Sequence, residues 1–250
     1  MAQISIFDML LEPVKIDKPI RLIELFVGYG SQAMALERMG VDFETYKVVE
    51  FDEHAIRSYN AIHGTDFPTI DVRDVTGKSL EIRERERYSY ILVYSFPCTD
   101  ISIAGLQKGM AEDSGTRSAL LWEVKRILKE LNEEGSMPDI LLMENVTAIH
   151  SEENKPHLKK WLEFLESIGY TSYMTDLNAS DFGVPQNRDR CFIVSVLGQY
   201  SYQFPDGIDL TRCMEDYFED LDEEQALKLV VKSQKALDLL VSLDEEGKLE

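Results

Sequence analysis

The sequence is poor in cysteine, histidine and basic side chains, and each shortage closes off a class of protein. Its three cysteines, Cys98, Cys191 and Cys213, are far apart with no CxxC pair, and its four histidines form no HExxH. Neither a disulfide framework nor a structural zinc site is expected, and no metal is assigned. The longest apolar runs, such as Ile140–Met143, are a handful of residues, far short of the ~20 that span a bilayer. No basic segment followed by a long apolar stretch and a small-residue cleavage site opens the chain, so a cytoplasmic, reducing compartment is the expectation. Lysine and arginine number 26 against 46 aspartates and glutamates, a net charge of −20 over 250 residues. Such a chain repels phosphate backbones, and composition alone argues against a free-standing nucleic-acid binder.

What the chain does have is alternation. Short β-branched or apolar runs at Arg21–Val27, Tyr46–Glu50, Tyr90–Ser95, Asp139–Met143, Thr171–Asp176 and Cys191–Val196 read as strands. Between them, helices are expected over Ser31–Met39, Glu53–His63, Arg117–Asn132 and Pro156–Ser167. Strands that are apolar almost throughout require cover on both faces, so the fold class is α/β with a doubly wound, mostly parallel sheet. Leu120, Leu121, Val124, Ile127, Leu128 and Leu131 share a helical stripe that reads as core. Composition shifts after about residue 204. From Glu215 to Glu250 twelve acids face four lysines, a net of −8, and Asp222–Leu243 keeps helical spacing as one outer helix. The reading divides the chain into an extension (1–18), a catalytic and cofactor-binding domain (19–204) and an acidic helical segment (205–250).

Four strand ends carry chemistry. The first strand leads into Phe26-Val27-Gly28-Tyr29-Gly30-Ser31-Gln32-Ala33, a G-x-G-x-x-A turn opening a helix, and Glu50 lies twenty residues beyond Gly30 at the next strand end. Glycines permit the tight turn and close ligand approach, and a strand-end carboxylate accepts hydrogen bonds from ribose hydroxyls. An adenosine-containing cofactor follows, with NAD, flavin and S-adenosylmethionine all open. Asp71, after Phe67-Pro68-Thr69-Ile70, is a candidate acceptor for an adenine amino group. Cys98 sits in the loop Ser95-Phe96-Pro97-Cys98-Thr99 after a central strand, where a thiolate could attack a ligand. The neighbouring strand ends in Glu144-Asn145-Val146, which supplies a candidate acid. Farther on, Arg188 and Arg190 alternate ahead of an apolar strand, so both point to one side and can hold a carboxylate, a phosphate or a base carbonyl.

From about Pro19 to about Leu197, the ordered set Phe26-x-Gly28-x-Gly30, Glu50, Asp71, Phe96-Pro97-Cys98, Gly115-Thr116-Arg117-Ser118-x-Leu120, Glu144-Asn145-Val146 and Gln186-x-Arg188-x-Arg190 resembles the DNA (cytosine-5) methyltransferases. The resemblance implies a Rossmann-like methyltransferase fold and S-adenosylmethionine in place of NAD. It implies that Cys98 attacks cytosine C6, that Glu144 holds or protonates N3, that Asn145 and Arg190 position the loop and base edge, and that Arg188 supports them. Phe26, Gly28, Gly30, Glu50, Phe51, Asp71, Pro97 and Leu120 would line the cofactor pocket. The implied partner is duplex DNA with a flipped cytosine, in bacterial or phage restriction-modification or self-protection. Thr99 stands where the family commonly has glutamine, and Ser31 where a third glycine is frequent.

The larger departure follows the paired arginines. Family members continue into a target-recognition domain and return with a Gly-Asn-Ser-type motif, whereas the last fifty or so residues here are acidic and lack it. The expectation is a truncated chain or one part of a split enzyme, with recognition on a missing segment or a second chain. Two alternatives stand beside the DNA enzyme: a partner-dependent cofactor-binding fragment without turnover of its own, and a tRNA cytosine-5 methyltransferase.

Overall fold

The computed structural model describes residues 11–99, 101, 110–112 and 115–247. Most of the proposed extension, Asp100 of the Pro-Cys loop and the last three residues therefore lie outside the described residues. Six strands, β1 (Ile20–Leu25), β2 (Phe43–Val49), β3 (Ser89–Tyr94), β4 (Ile140–Asn145), β5 (Tyr170–Asn178) and β6 (Asp189–Leu197), form one sheet in the order β2-β1-β3-β4-β6-β5. The pairings β1–β2, β1–β3 and β3–β4 are parallel, and β6 runs antiparallel to both β4 and β5. The sheet is mixed, with a single reversed strand. That reversal brings the beginning of β6 to the edge where β1, β3 and β4 end.

Both faces are covered, as the apolar strands require. Leu22 and Val93 pack beneath α1 (Ser31–Met39), and Val48 packs with Ile56 and Tyr59 of α2 (Glu53–His63). Ile23, Leu92 and Tyr94 point the other way. They join Val124, Ile127 and Leu128 of α3 (Leu121–Glu134) and Trp161 and Leu165 of α4 (Lys155–Ser167). Local signals set the helix ends: Asp52 caps α2 by accepting from the His54 and Ala55 amides, and left-handed Gly64 and Gly135 close α2 and α3. The helix expected from Arg117 opens as a 3-10 turn, Arg117–Leu120, because the Thr116 hydroxyl accepts from the Ala119 amide.

The acidic segment corrects the expectation of one long helix. It forms α5 (Glu223–Leu229) and α6 (Gln234–Glu245), separated where Ser233 starts a new helix by accepting from the Ala236 amide. Neither contains a buried residue among those described, and the apolar residues Leu229, Val230, Leu240 and Val241 at helical spacing along the segment are exposed. Among the described residues no helix is long and apolar enough to cross a membrane.

One charge lies inside the fold. Glu24, in the middle of β1, is 1% exposed. The Tyr59 hydroxyl donates to its Oε2 at 3.0 Å, while Oε1 has no hydrogen-bond partner among the described residues. Burial pushes this carboxyl up to about 7 against smaller opposing effects from Tyr59 and the Ala33 amide. An unfolded Glu24 loses its proton near the ordinary value of 4.5, so between that value and about 7 the folded state binds more protons. Stability must then fall as pH rises through this window, by at most about 3 kcal/mol. Glu24→Gln should remove that slope: compared by urea unfolding at about pH 5 and pH 8, the variant gains on the wild type at the higher pH. Identical pH dependence in the two proteins would contradict this account of Glu24.

Candidate active site

At the end of β1 the backbone turns back on itself through three left-handed residues, Phe26 (φ 59°), Gly28 (φ 57°) and Gly30 (φ 82°). A Cβ on Gly28 would meet nothing within 4 Å, so glycine is required there by the dihedral alone. At Gly30 a Cβ would lie 2.5 Å from both the Tyr59 ring and His63 Nε2, so this glycine is also required by close packing on α2. His63 Nε2 lies 3.0 Å from the Tyr29 carbonyl oxygen and fixes the crest of the turn. Phe26 takes the same conformation without being glycine, a local cost of order 1–3 kcal/mol that the surrounding bonds maintain. Its amide donates to the Val49 carbonyl at 2.8 Å.

The Glu50 carboxylate ties this turn to the next strand end. Oε2 accepts from the Gly28 amide at 3.1 Å and Oε1 from the Asp52 amide at 3.0 Å, leaving one lone-pair direction on each oxygen. Beside it opens a cleft of about 270 Å³ lined by Phe26, Glu50, Phe51, Ile70, Asp71, Arg73, Pro97, Thr116 and Leu120 among others. Six of the eight residues expected in a cofactor pocket line it. Gly28 and Gly30 do not: they shape the turn from behind, one by donating to Glu50 and the other by admitting Tyr59 and His63. Asp71 also differs from a free acceptor. Its carboxylate caps the 3-10 turn Val72–Asp74 by accepting from the Arg73 amide, and it receives the Arg73 guanidinium, with Nε 2.9 Å from Oδ1. These bonds, the guanidinium first, hold the Asp71 carboxyl below the usual carboxylate range. Arg73 escaped the sequence reading, although its i,i+2 spacing from Asp71 in a capped turn is the signal. Its side chain is largely exposed and can move aside.

The second cleft lies where β3 and β4 end side by side in parallel register, with Val93 opposite Leu142. Asn145, 2% exposed, donates through Nδ2 to the Phe96 carbonyl at 3.0 Å, and its Oδ1 accepts from the Val146 amide. The buried Ser118 hydroxyl donates to the Pro97 carbonyl at 2.8 Å. Two carbonyls of the Pro-Cys loop are thereby pinned immediately before Cys98, whose side chain is half-buried and not in a disulfide. Glu144 precedes Asn145 on the strand and so faces the opposite way. Its Oε1 lies 2.9 Å from Nε of Arg190. Arg188 lies just before β6 rather than within it, and its main chain is fixed by Asn178 Oδ1 and the Ala179 amide. Its guanidinium makes no ion pair among the described residues, yet it lines the same cleft of about 660 Å³ as Ser95, Glu144 and Arg190. Phe26 lines both clefts, so the two adjoin.

The other thiols are unsuited to attack. Burial pushes the Cys191 thiol up to about 12, helped by the charges of Asp176 and Glu144, and Cys213 stands exposed in the acidic segment, whereas Cys98 packs half-buried against the core and is itself not among the described residues lining either cleft. Cys98 is left as the strand-end thiol.

This sheet, with a glycine turn and a carboxylate at one switch point and a thiol loop beside a second carboxylate, has the fold of the methyltransferases. EhMeth, a methyltransferase of Entamoeba histolytica, superposes with a TM-score of 0.65 over 83% of this chain and 62% of that one, at 17% identity. The model of the C-5 cytosine-specific DNA methylase family matches residues 20–246, past the last motif and through the whole of α6. Type II methyltransferase M2.ScrFI of Lactococcus lactis subsp. cremoris is 33% identical over 88% of this chain and 72% of that protein. The orphan methyltransferase M.SssI of Spiroplasma monobiae is 32% identical over 73% of this chain and 61% of that protein. The chain belongs to the C-5 cytosine-specific DNA methylase family, and it spans between three-fifths and three-quarters of the length of these two relatives.

Asn145→Ala would leave the Phe96 carbonyl buried without its donor, at a cost of about 1–3 kcal/mol. Chemical denaturation should show that loss, together with faster alkylation of Cys98 as its loop loosens. An unchanged midpoint and alkylation rate would mean that this bond does not hold the loop.

Proposed function

We propose that this chain carries the chemical half of a DNA cytosine-5 methyltransferase: the cleft beside Glu50 takes S-adenosylmethionine and the cleft beside Glu144 takes a flipped cytosine. The observation that carries the reading is the Glu144–Arg190 pair, held at 2.9 Å in a cleft that shares Phe26 with the carboxylate-lined cleft. The first cleft fits a nucleoside by its chemistry. Glu50 retains acceptor capacity for ribose hydroxyls, Asp71 can accept from an adenine amino group if Arg73 shifts, and Phe26, Ile70, Pro97 and Leu120 offer apolar walls for a base. When bound, S-adenosylmethionine supplies an electrophilic methyl group.

The chain's own residues then make the cytosine able to accept it. C5 of cytosine is a poor nucleophile. Addition of the Cys98 thiolate to C6 turns the ring into an enamine-like species with electron density at C5. Glu144 holds N3 and shares a proton with it as charge develops, and Arg190 keeps Glu144 oriented. Arg188, unpaired among the described side chains, is available to the base edge or an adjacent phosphate. Loss of the C5 proton lets Cys98 leave. Taking the base from a duplex costs roughly a few kcal/mol, which contacts to DNA must supply. With a net charge of −20 and α5 and α6 devoid of buried residues, we assign those contacts mainly to protein beyond these residues, in the same chain or a partner.

Duplex DNA containing 5-fluorocytosine, incubated with the chain, methyl donor and, if needed, a complementing C-terminal part, should yield a covalent adduct that Cys98→Ser abolishes. A folded, cofactor-binding protein that forms no adduct with DNA but methylates tRNA would move the substrate to RNA. Absence of both would remove the reading. Glu144→Gln should lower kcat by about 10²–10⁴-fold with little change in stability.

A further inference from the structure

Three side chains that methyl transfer leaves unused meet behind the Glu144 strand end. His150 closes the 3-10 turn Thr147–His150 that follows β4. Its Nε2 lies 2.8 Å from Oδ2 and 3.1 Å from Oδ1 of Asp176 in β5. Asp176 is paired directly across the β5–β6 ladder with Cys191. The imidazole nitrogen, a carboxylate oxygen and the Cys191 Sγ all lie within 4.8 Å of one another.

We propose that His150, Asp176 and Cys191 form a binding site for a divalent cation of the zinc type. A tetrahedral ion with bonds of about 2.0–2.3 Å holds its donor atoms roughly 3.3–3.6 Å apart, so the His150–Asp176 pair at 2.8 Å must open slightly, and the sulfur, within 4.8 Å of both, must close by up to about an ångström, which rotation of the two half-exposed side chains can supply. The donor set selects the ion. One nitrogen, one oxygen and one sulfur suit zinc and its neighbours in the transition series, whereas magnesium and calcium demand oxygen. Burial is graded in the same sense, with Cys191 fully enclosed in the strand and the His150 and Asp176 side chains 38% and 43% exposed. An ion can enter from solvent, keep a water as fourth ligand, and rest on a rigid sulfur. Thiolate and carboxylate together cancel its two charges, so the enclosed side of the site stays neutral. As sulfur binds, the Cys191 S–H bond breaks and its proton passes to solvent, one per ion. The ion would cross-link the turn just after Glu144 and Asn145 to β5 and to β6, which carries Arg190, fixing from behind the geometry that holds Glu144 and Arg190 together. The sequence expectation of no zinc site rested on local CxxC and HExxH spacing, and these ligands are brought together only by strand pairing.

Titration of the full chain with cobalt(II) is expected to give one equivalent bound, with thiolate-to-cobalt charge-transfer absorption in the near ultraviolet. That band should persist in Cys98→Ser and Cys213→Ser and vanish in Cys191→Ser. His150→Gln alters a half-exposed side chain and preserves the core, so it decides the matter if Cys191→Ser fails to fold. Its zinc affinity should fall at least about tenfold, and zinc should raise the melting temperature of the wild type but not of this variant. A folded wild type without the band, a band lost with Cys98→Ser, or unchanged zinc affinity in His150→Gln would each overturn the proposal.

Discussion

A single hydrogen bond, from the Asn145 side chain to the Phe96 carbonyl, sets how the Pro-Cys loop sits beside the end of β4. Parallel strands end side by side, but nothing in their ladder dictates how the loops beyond them sit. Asn145 closes that freedom. It is buried because it alternates with Glu144, and the two-residue period of a strand sends one side chain into the protein to hold the Pro-Cys loop and the other into the cleft to meet Arg190. Ser118, reaching up from the turn before α3, pins the next carbonyl, so that two consecutive residues of the loop are held by side chains.

The Glu50 cleft is built on a comparable arrangement beneath the glycine turn. Glu24, Tyr59 and His63 form a polar stack under Gly30, each engaged with a different element: the middle of β1, the inner face of α2 and the crest of the turn. The left-handed conformation of Phe26 is held by the bonds around it: its own amide donates to the Val49 carbonyl, and Gly28, two residues on, donates to the Glu50 carboxylate. A carboxyl retained inside a sheet is costly on its own, and here it serves as the foundation of the glycine turn.

How much of this could be read from the sequence follows from the range of each interaction. Strands, their order of chemistry and the helices over Ser31–Met39 and Glu53–His63 were legible because apolar periodicity and caps are local. The strand-end residues Glu50, Cys98 and Glu144 stood out because polar groups abruptly end apolar runs. The engagement of Asp71 by Arg73 was hidden, since spacing shows that two residues can meet without showing that they do. The C-terminal helix was overextended for the opposite reason: periodicity persists across Val230–Lys232, and only the hydroxyl of Ser233 marks the restart. The trio His150, Asp176 and Cys191 was invisible, because residues 26 and 15 positions apart become neighbours only once β6 reverses between β4 and β5.

That reversal also decides where the rest of the chain can go. At Leu197 the backbone stands at the edge of the sheet away from the clefts, its amide bonded to the Asp139 carbonyl at the start of β4. It then runs back along β5, with Tyr202 against Tyr173 and Ile208 bridged to Phe182, and Pro205 comes to line the Glu144 cleft. Everything after Pro205 therefore departs from the threshold of the Glu144 cleft itself. A segment attached there can be lengthened, shortened or exchanged without disturbing a strand of the sheet or the helices that cover it, so the architecture leaves the border of this cleft free to change while the residues inside it stay fixed.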